Sequence, residues 1–213
     1  MNLDNKKTFS PSSDFKDNYK ILIGSVVPRP IAVVSTLNEN GTNNLAPFSF
    51  FTVVSANPMV IAFCPFIRSS DGEEKDTAKN IKREKEFTLN FCTEQYAEKI
   101  NLAATELPYG EDEFSFSGLT PLDSTLVKPK LLRESPINFE CKLRDTLSYG
   151  ESLGAGQIIT GEVVKIHIAD EIFKDGKIDT DLYNPIGRGA GNDWILTNSR
   201  MQLERKSKAQ IQK

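Results

Sequence analysis

Histidine is almost missing from this chain: His167 is the single one in 213 residues. One imidazole builds neither a His-rich metal site nor a Ser-His-Asp triad without distant partners. In the alternating run VVKIHIAD it reads as a strand residue on a polar face, not as a catalyst. Cysteine is sparse too, since Cys64, Cys92 and Cys141 lie far apart, each beside apolar neighbours. Three scattered thiols make neither a zinc site nor a disulfide framework and are expected as buried free cysteines. No metal site is expected. Net charge is only −3, from 26 basic and 29 acidic residues, so no global field gathers nucleic acid or anionic lipid. No run approaches the roughly 20 apolar residues that span a bilayer, and the opening MNLDNKKTFSPSSDF lacks the apolar core of a secretory signal. The expectation is a cytoplasmic protein that binds neither nucleic acid nor membrane. With so little acid–base equipment, a reaction here would depend on a borrowed cofactor.

What is present suits one domain with a substantial core: 38% of the residues are hydrophobic. Residues 1–18 are polar and read as an arm, residues 19–23 as a short amphipathic turn, and residues 205–213 as a basic tail. Pro28-Arg29-Pro30 is stiff and extended. Residues 31–36 are rich in β-branched side chains and read as a strand. The turn Asn38-Glu39-Asn40-Gly41 leads to a second strand over 45–54, and Asn57-Pro58 breaks it before a third over 59–64. A helix is predicted over 76–83, with Asp76 or Thr77 as its N-cap. A strand follows over 87–92, then a helix over 93–104 capped by Thr93. Residues 105–135 form a long loop of the kind that carries lids or contacts. Long strands over 137–149 and 157–168 come next, then a Gly-rich irregular stretch over 184–194, and the segment starting at Met201 begins as a strand. This order predicts a mainly β fold with peripheral helices, a β-barrel and not a doubly wound sheet.

Three stretches carry chemistry. In Asn44-Leu45-Ala46-Pro47-Phe48-Ser49-Phe50-Phe51, Pro47 marks an edge, a bulge or a break, because proline cannot donate to a ladder. A small residue, a hydroxyl and three aromatics beside it would let backbone amides face a planar ligand, although a core strand with a bulge has the same pattern. In RSSDGEEKDT, Arg68 and Lys75 flank a loop entering a helix N-terminus, where free N–H groups and the dipole favour an anion by about 0.3–1 kcal/mol. Arg68 can grip bidentately, Lys75 supplies a point charge and Thr77 a hydroxyl. The alternative is a solvated loop in which Asp71, Glu73, Glu74 and Asp76 satisfy the two cations. Finally, the glycines of Ile186-Gly187-Arg188-Gly189-Ala190-Gly191 lack the strand-to-helix setting of a dinucleotide fingerprint, leaving a loop that could carry Arg188 and Trp194 over a site.

The order of these motifs resembles the flavin reductase-like, FMN-binding split-barrel family. Pro28-Arg29-Pro30-Ile31-Ala32-x-Val34-Ser35-Thr36 and the run from Asn44 to Phe51 come first, followed by Val54-Ser55-x-Asn57-Pro58. Lys75-Asp76-Thr77-x-x-Asn80-Ile81, Glu86-Phe87-x-x-Asn90, Glu134-Ser135-Pro136, Glu140-Cys141, Gly161-Glu162-Val163-Val164 and Pro185-Ile186-Gly187-Arg188 continue the series. The resemblance covers residues 19–204 as one domain. It implies a homodimeric, FMN-binding split β-barrel with the flavin near the dimer interface. Ala46, Pro47, Phe48 and Ser49 would lie along the flavin, with Ser35 and Thr36 close by. Arg68, Lys75, Asp76 and Thr77 would form the phosphate side, interrupted by the insertion 69–74. Arg29 is a phosphate or ribityl candidate, and Ser55 and Asn57 would line the same pocket. Arg188, with Trp194, would cover the flavin from the same or the partner subunit. In that reading no residue is a general acid or base. NADH or NADPH is the co-substrate and delivers hydride to the flavin N5. The alternative is a flavoredoxin-like carrier that holds FMN and exchanges electrons with an acceptor protein; a barrel without cofactor is a third class.

Overall fold

Strand boundaries follow the β-branched and aromatic runs. The computed structural model describes residues 5–207 and residue 210; the first four residues of the expected arm and residues 208–209 and 211–213 of the expected tail lie outside the described residues. In chain order the elements are α1 (Phe15–Ser25), β1 (Arg29–Pro30), β2 (Ala32–Leu37), β3 (Asn43–Phe48), β4 (Phe51–Ala56), β5 (Met59–Phe63), α2 (Asp76–Glu84), β6 (Glu86–Phe91), α3 (Ala97–Leu102), α4 (Glu113–Ser117), β7 (Pro121–Leu122), β8 (Leu131–Leu132), β9 (Ile137–Ser148), β10 (Gln157–Ile168), β11 (Phe173–Lys174), β12 (Lys177–Ile178), α5 (Thr180–Tyr183), β13 (Ile186–Arg188) and β14 (Trp194–Leu196).

Seven strands form one sheet in the order β3-β2-β6-β9-β10-β5-β4, and every neighbouring pair is antiparallel. Its two edge strands, β3 and β4, are joined in the chain by Ser49 and Phe50 alone, which forces the sheet to curl until its edges approach. The enclosed face is filled by Ala32, Val34, Ile61, Phe63, Phe87, Leu89, Phe139, Cys141 and Ile159. Gly161 on β10 makes room for this packing: a Cβ there would sit 2.3 Å from the Phe87 ring. The other face of β2 and β3 is covered by Tyr96, Ile100, Phe114 and Leu132, which pack against Val33 and Leu45. Burial on both faces is why residues 31–34 are continuously apolar where a one-sided strand would alternate. The fold is mainly β with a few helices. A separate ribbon, β1-β13-β14, lies alongside, with Arg29 opposite Arg188.

The expectations that fail do so locally. The strand expected over 45–54 is two strands, because the chain leaves one sheet edge and joins the other at Ser49 and Phe50. Pro47 sits on β3, the edge strand, opposite Val33. The residue before α2 is Lys75, with no side-chain cap, and Asp76 turns instead to Arg68 at 3.2 Å. The helix expected over 93–104 is a 3₁₀ turn (Glu94–Tyr96) followed by α3, and the Thr93 hydroxyl caps nothing. The arm ends early, since Asp14 accepts the Lys16 N–H at 2.9 Å and starts α1. The loop 105–135 contains α4 and the β7–β8 pair. No strand forms over residues 201–207; β14 is the last.

Candidate functional site

β3 ends the seven-stranded sheet, so one edge of its backbone is unpaired by strand neighbours. Pro47, which has no N–H to offer a ladder, is tolerated there for that reason. A groove follows this edge. At one end Asn44, Ala46, Pro47 and Phe48 face Arg68, Lys75, Asp76 and Thr77 across the turn formed by residues 103–107. At the other end Pro47 and Ser49 face Arg29, Asn101, Arg188 and Trp194 around a cavity of about 200 Å³. Pro47 and Ala104 line both, so the two lie side by side along the β3 edge. The long loop predicted to be functional supplies the far wall of this cleft.

Beneath the floor lies a buried polar network. Asn44 Oδ1 accepts from the hydroxyls of Thr36 (2.9 Å) and Thr77 (2.8 Å), while its amide donates to Glu113 Oε1 at 3.0 Å. Glu113 Oε2 accepts the Leu45 N–H at 3.0 Å. Asn80 donates to Thr36 (3.0 Å) and to Asn38 (2.7 Å). Thr36 and Ser35, expected near the ligand, are fully buried behind β3, and among the described residues the Ser35 hydroxyl has no partner. Thr77 borders the cleft with its hydroxyl already committed to Asn44. Sequence reasoning missed Glu113 as a member of this site; an acid in the loop 105–135 gives no outward sign that it is buried.

Burial pushes the Glu113 carboxyl up to about 7, against the Leu45 N–H and the Asn44 amide, with Asp76 adding a smaller upward push. An acid raised in the folded state above its ordinary value near 4.3 makes folding less favourable as pH climbs. Below about pH 4 both states hold the proton; between about 4.5 and 7 only the unfolded state has released it; above 7 the penalty is constant. Glu113→Gln removes the penalty, so its stability relative to the parent should rise by about 2 kcal/mol between about pH 5 and 8. Urea unfolding at several pH values checks this, and parallel pH profiles for the two proteins would refute it.

The cations at the α2 end arrive paired. Arg68 contacts Asp71 (2.8 Å) and Asp76 (3.2 Å), and Lys75 contacts Glu106 (2.9 Å). Glu73 goes to Lys79, while Glu74 is taken by Lys82 and Gln157. The Glu73 N–H and Arg68 hold Asp71 below the usual carboxylate range, and Lys75 and Ser70 do the same for Glu106. Asp71 and Glu106 side chains are each 45% exposed, so an anion can displace them into water at small cost, whereas Asp76, 12% exposed, stays.

Arg29, expected as a phosphate or ribityl ligand, is 4% exposed, and its donors go to the chain itself: the carbonyls of Ile23, Val26 and Gly189 and the Ser49 hydroxyl. It shapes the cleft from behind. Arg188 lies 5.0 Å over the Trp194 ring and donates to Gly191 at 2.8 Å, so both expected covering residues do stand on the cleft wall. Ser55 and Asn57 are elsewhere. They sit at the end of β4 remote from Ser49, about 17 Å along the strand, where the Ser55 hydroxyl accepts the Asn57 N–H of the β4–β5 turn. His167 is also remote from the cleft, pairing at 2.7 Å with the buried Glu140. Cys92 and Cys141 are buried and Cys64 half-buried, all free. Among the described residues, no group of three or more His, Cys, Asp or Glu is placed to hold a metal ion, and no helix is long and apolar enough to cross a membrane.

Comparison with known proteins adds five findings. Residues 23–184 match the family described as the flavin reductase like domain. A protein of Halalkalibacterium halodurans is 40% identical over 89% of this chain and 91% of its own. Nitrilotriacetate monooxygenase component B from Bacillus cereus superposes with a TM-score of 0.86 at 33% identity, covering 93% of this chain and all of that one. For Pseudomonas fluorescens 2-nitrobenzoate 2-nitroreductase the TM-score is 0.82 at 26% identity, over 94% and 98% of the two chains. Flavoredoxin of Desulfovibrio vulgaris (Miyazaki F), 18% identical over 96% and 99%, shares the fold with a TM-score of 0.74.

Proposed function

This chain belongs to the flavin reductase-like family, and we propose that it binds FMN in the β3 cleft and is an NAD(P)H-dependent flavin reductase. The observation that carries the reading is the meeting of two features in one groove: the free edge of β3 at Ala46, Pro47 and Phe48 and the cationic mouth at Arg68 and Lys75. In this proposal the isoalloxazine lies along Ala46, Pro47, Phe48 and Ser49. Arg68, Lys75 and the uncapped N–H groups opening α2 hold the phosphate, releasing Asp71 and Glu106. FMN, when bound, supplies hydride acceptance and onward electron transfer. The chain supplies the rest: β3 orients the ring, the Asn44 network keeps β3 rigid, and Arg188 with Trp194 walls the side from which a nicotinamide would approach.

A homodimer through β4 belongs to the same proposal. Val53 and Val54 are strongly exposed on this edge strand, a combination that favours covering by another surface. Ser55 and Asn57 would then meet a flavin only across that contact. Three free thiols agree with a cytoplasmic, reducing compartment.

The test is direct. The purified protein should show the yellow flavin spectrum, or acquire it with added FMN, and anaerobic NADH or NADPH should bleach it. Failure to take up FMN would refute the site. Uptake without bleaching by either nucleotide would refute the reductase and leave a carrier that needs a protein donor.

A further inference from the structure

At the α2 end of the cleft the enclosed space is small, about 80 Å³, well under the roughly 300–1,000 Å³ of a pocket for a whole ligand. It suits a group of a few atoms, not a ring. Its charged lining is Arg68, Lys75, Asp76, Glu106 and Glu113. The first four meet in two ion pairs, Arg68 with Asp76 and Lys75 with Glu106. Glu113 instead accepts from two neutral groups of β3, the Asn44 amide and the Leu45 N–H, both at 3.0 Å. Half-exposed Glu106 can swing clear of an incoming anion. Glu113 cannot, because it is buried and tied to β3 through both oxygens.

The charges around Glu113 are few. Lys75 and Asp76 open α2, Arg68 comes from the loop before it and Glu106 from the turn over 103–107. On its own helix, Asp112 is turned to the Asn43 amide and the Ser115 N–H, both at 3.0 Å. On the α3 side, the Lys99 ammonium goes to the Gly118 carbonyl at 2.8 Å and the Tyr96 hydroxyl to the Phe91 carbonyl.

Resting on the flavin reading above, we infer that Glu113 is the specificity-determining residue of the phosphate end: its proton decides whether the recess accepts a phosphate dianion, and so how strongly FMN is preferred over riboflavin. With Glu106 displaced and Glu113 ionised, two cations face two carboxylates, and the recess offers a phosphate no net charge. A proton on Glu113 leaves a surplus positive charge and turns a repelling oxygen into an O–H donor. Phosphate binding therefore draws a proton onto Glu113. Burial already holds that carboxyl at about 7. As pH rises above that value the free protein has lost the proton that binding requires, and FMN affinity falls by up to about 10-fold per pH unit. Riboflavin has no phosphate and escapes the effect. The phosphate of FMN, with a second pKa near about 6, is already a dianion over this range and does not imitate it.

Titration of the full-length protein with FMN and with riboflavin at pH 7 and pH 9, followed by flavin fluorescence, tests this. The preference for FMN over riboflavin should fall at least about 10-fold between the two pH values in the parent, and stay within about 2-fold in Glu113→Gln. A second measurement needs no variant. Calorimetry at pH 7.5 in two buffers of different ionisation enthalpy should show uptake of more than about half a proton with FMN and none with riboflavin. A preference in the parent that does not change with pH, binding of FMN without proton uptake, or a pH dependence that survives in Glu113→Gln overturns the inference while the flavin site stands. Failure of both flavins to bind overturns the flavin reading itself.

Discussion

Glu140→Ala should lower the stability of the protein by about 3–5 kcal/mol, the range expected when one member of a buried charged network is removed. For a chain of this length that corresponds to a melting temperature roughly 10 °C lower. Glu140 is fully buried on β9 and accepts from five groups: the Thr125 N–H (2.9 Å) and hydroxyl (2.7 Å), the N–H groups of Leu126 (2.6 Å) and Val127 (3.0 Å), and His167 (2.7 Å). Burial alone would push its carboxyl up, but the hydrogen bonds from Thr125, His167 and Leu126 outweigh it and hold it down at about 2. A carboxyl depressed in the folded state adds stability that is complete above its unfolded value and disappears as pH falls through the folded one. The parent should therefore lose its advantage over Glu140→Gln between about pH 4.5 and 2. Thermal unfolding at neutral pH, with urea unfolding on acidification, measures both effects. A Glu140→Ala protein within 1 kcal/mol of the parent would show that the loop over 123–127 does not need its anchor. The substitution lies outside the cleft, so the folded fraction should still take up flavin.

The case of Glu140 also shows what the amino-acid pattern can and cannot reveal. β9 and β10 were legible because their alternation of apolar and polar residues is long, and β2 because its opening residues are apolar on both faces. Pro47 marked an edge through chemistry that proline carries everywhere. Arg68 and Lys75 were legible as charges beside a helix start, and they do stand at the cleft mouth. Where each polar group points was not legible. Arg29 and Arg68 look alike as letters, yet one spends its guanidinium on the chain's own carbonyls and the other on half-exposed carboxylates. Thr36 and Ser35 lie on β2, one strand behind the β3 edge that borders the cleft; Thr36 is tied into the network of Asn44 and Asn80, and both side chains are fully buried. Glu113 and Glu140 are both buried acids, displaced in opposite directions by the number of donors around them. That number is set by residues distant in sequence, Leu45 and Asn44 for one and Thr125, Leu126, Val127 and His167 for the other, so no local window contains it.

Arg29→Ala should cost about 2–4 kcal/mol, because three carbonyls lose a charged donor in a buried setting and each such bond is worth about 1.5–3 kcal/mol without simple additivity. The larger consequence is for the cleft. The guanidinium bonds to Ile23 and Val26 at the end of α1, to Ser49 at the corner between β3 and β4, and to Gly189 beyond β13. Three segments that wall the groove are thus fixed to one planar group, whose fork of donors lysine cannot reproduce. Arg29→Lys should recover only part of the stability. Flavin affinity should fall at least 10-fold in Arg29→Ala, and the choice of flavin separates two explanations. A direct phosphate ligand would weaken FMN and leave riboflavin, which has no phosphate, unchanged. With its donors already spent on the chain, Arg29 acts through the walls, and riboflavin and FMN should weaken together. Loss confined to FMN would mean that the Ile23 and Gly189 bonds yield to the phosphate on binding, and that Arg29 is a ligand after all.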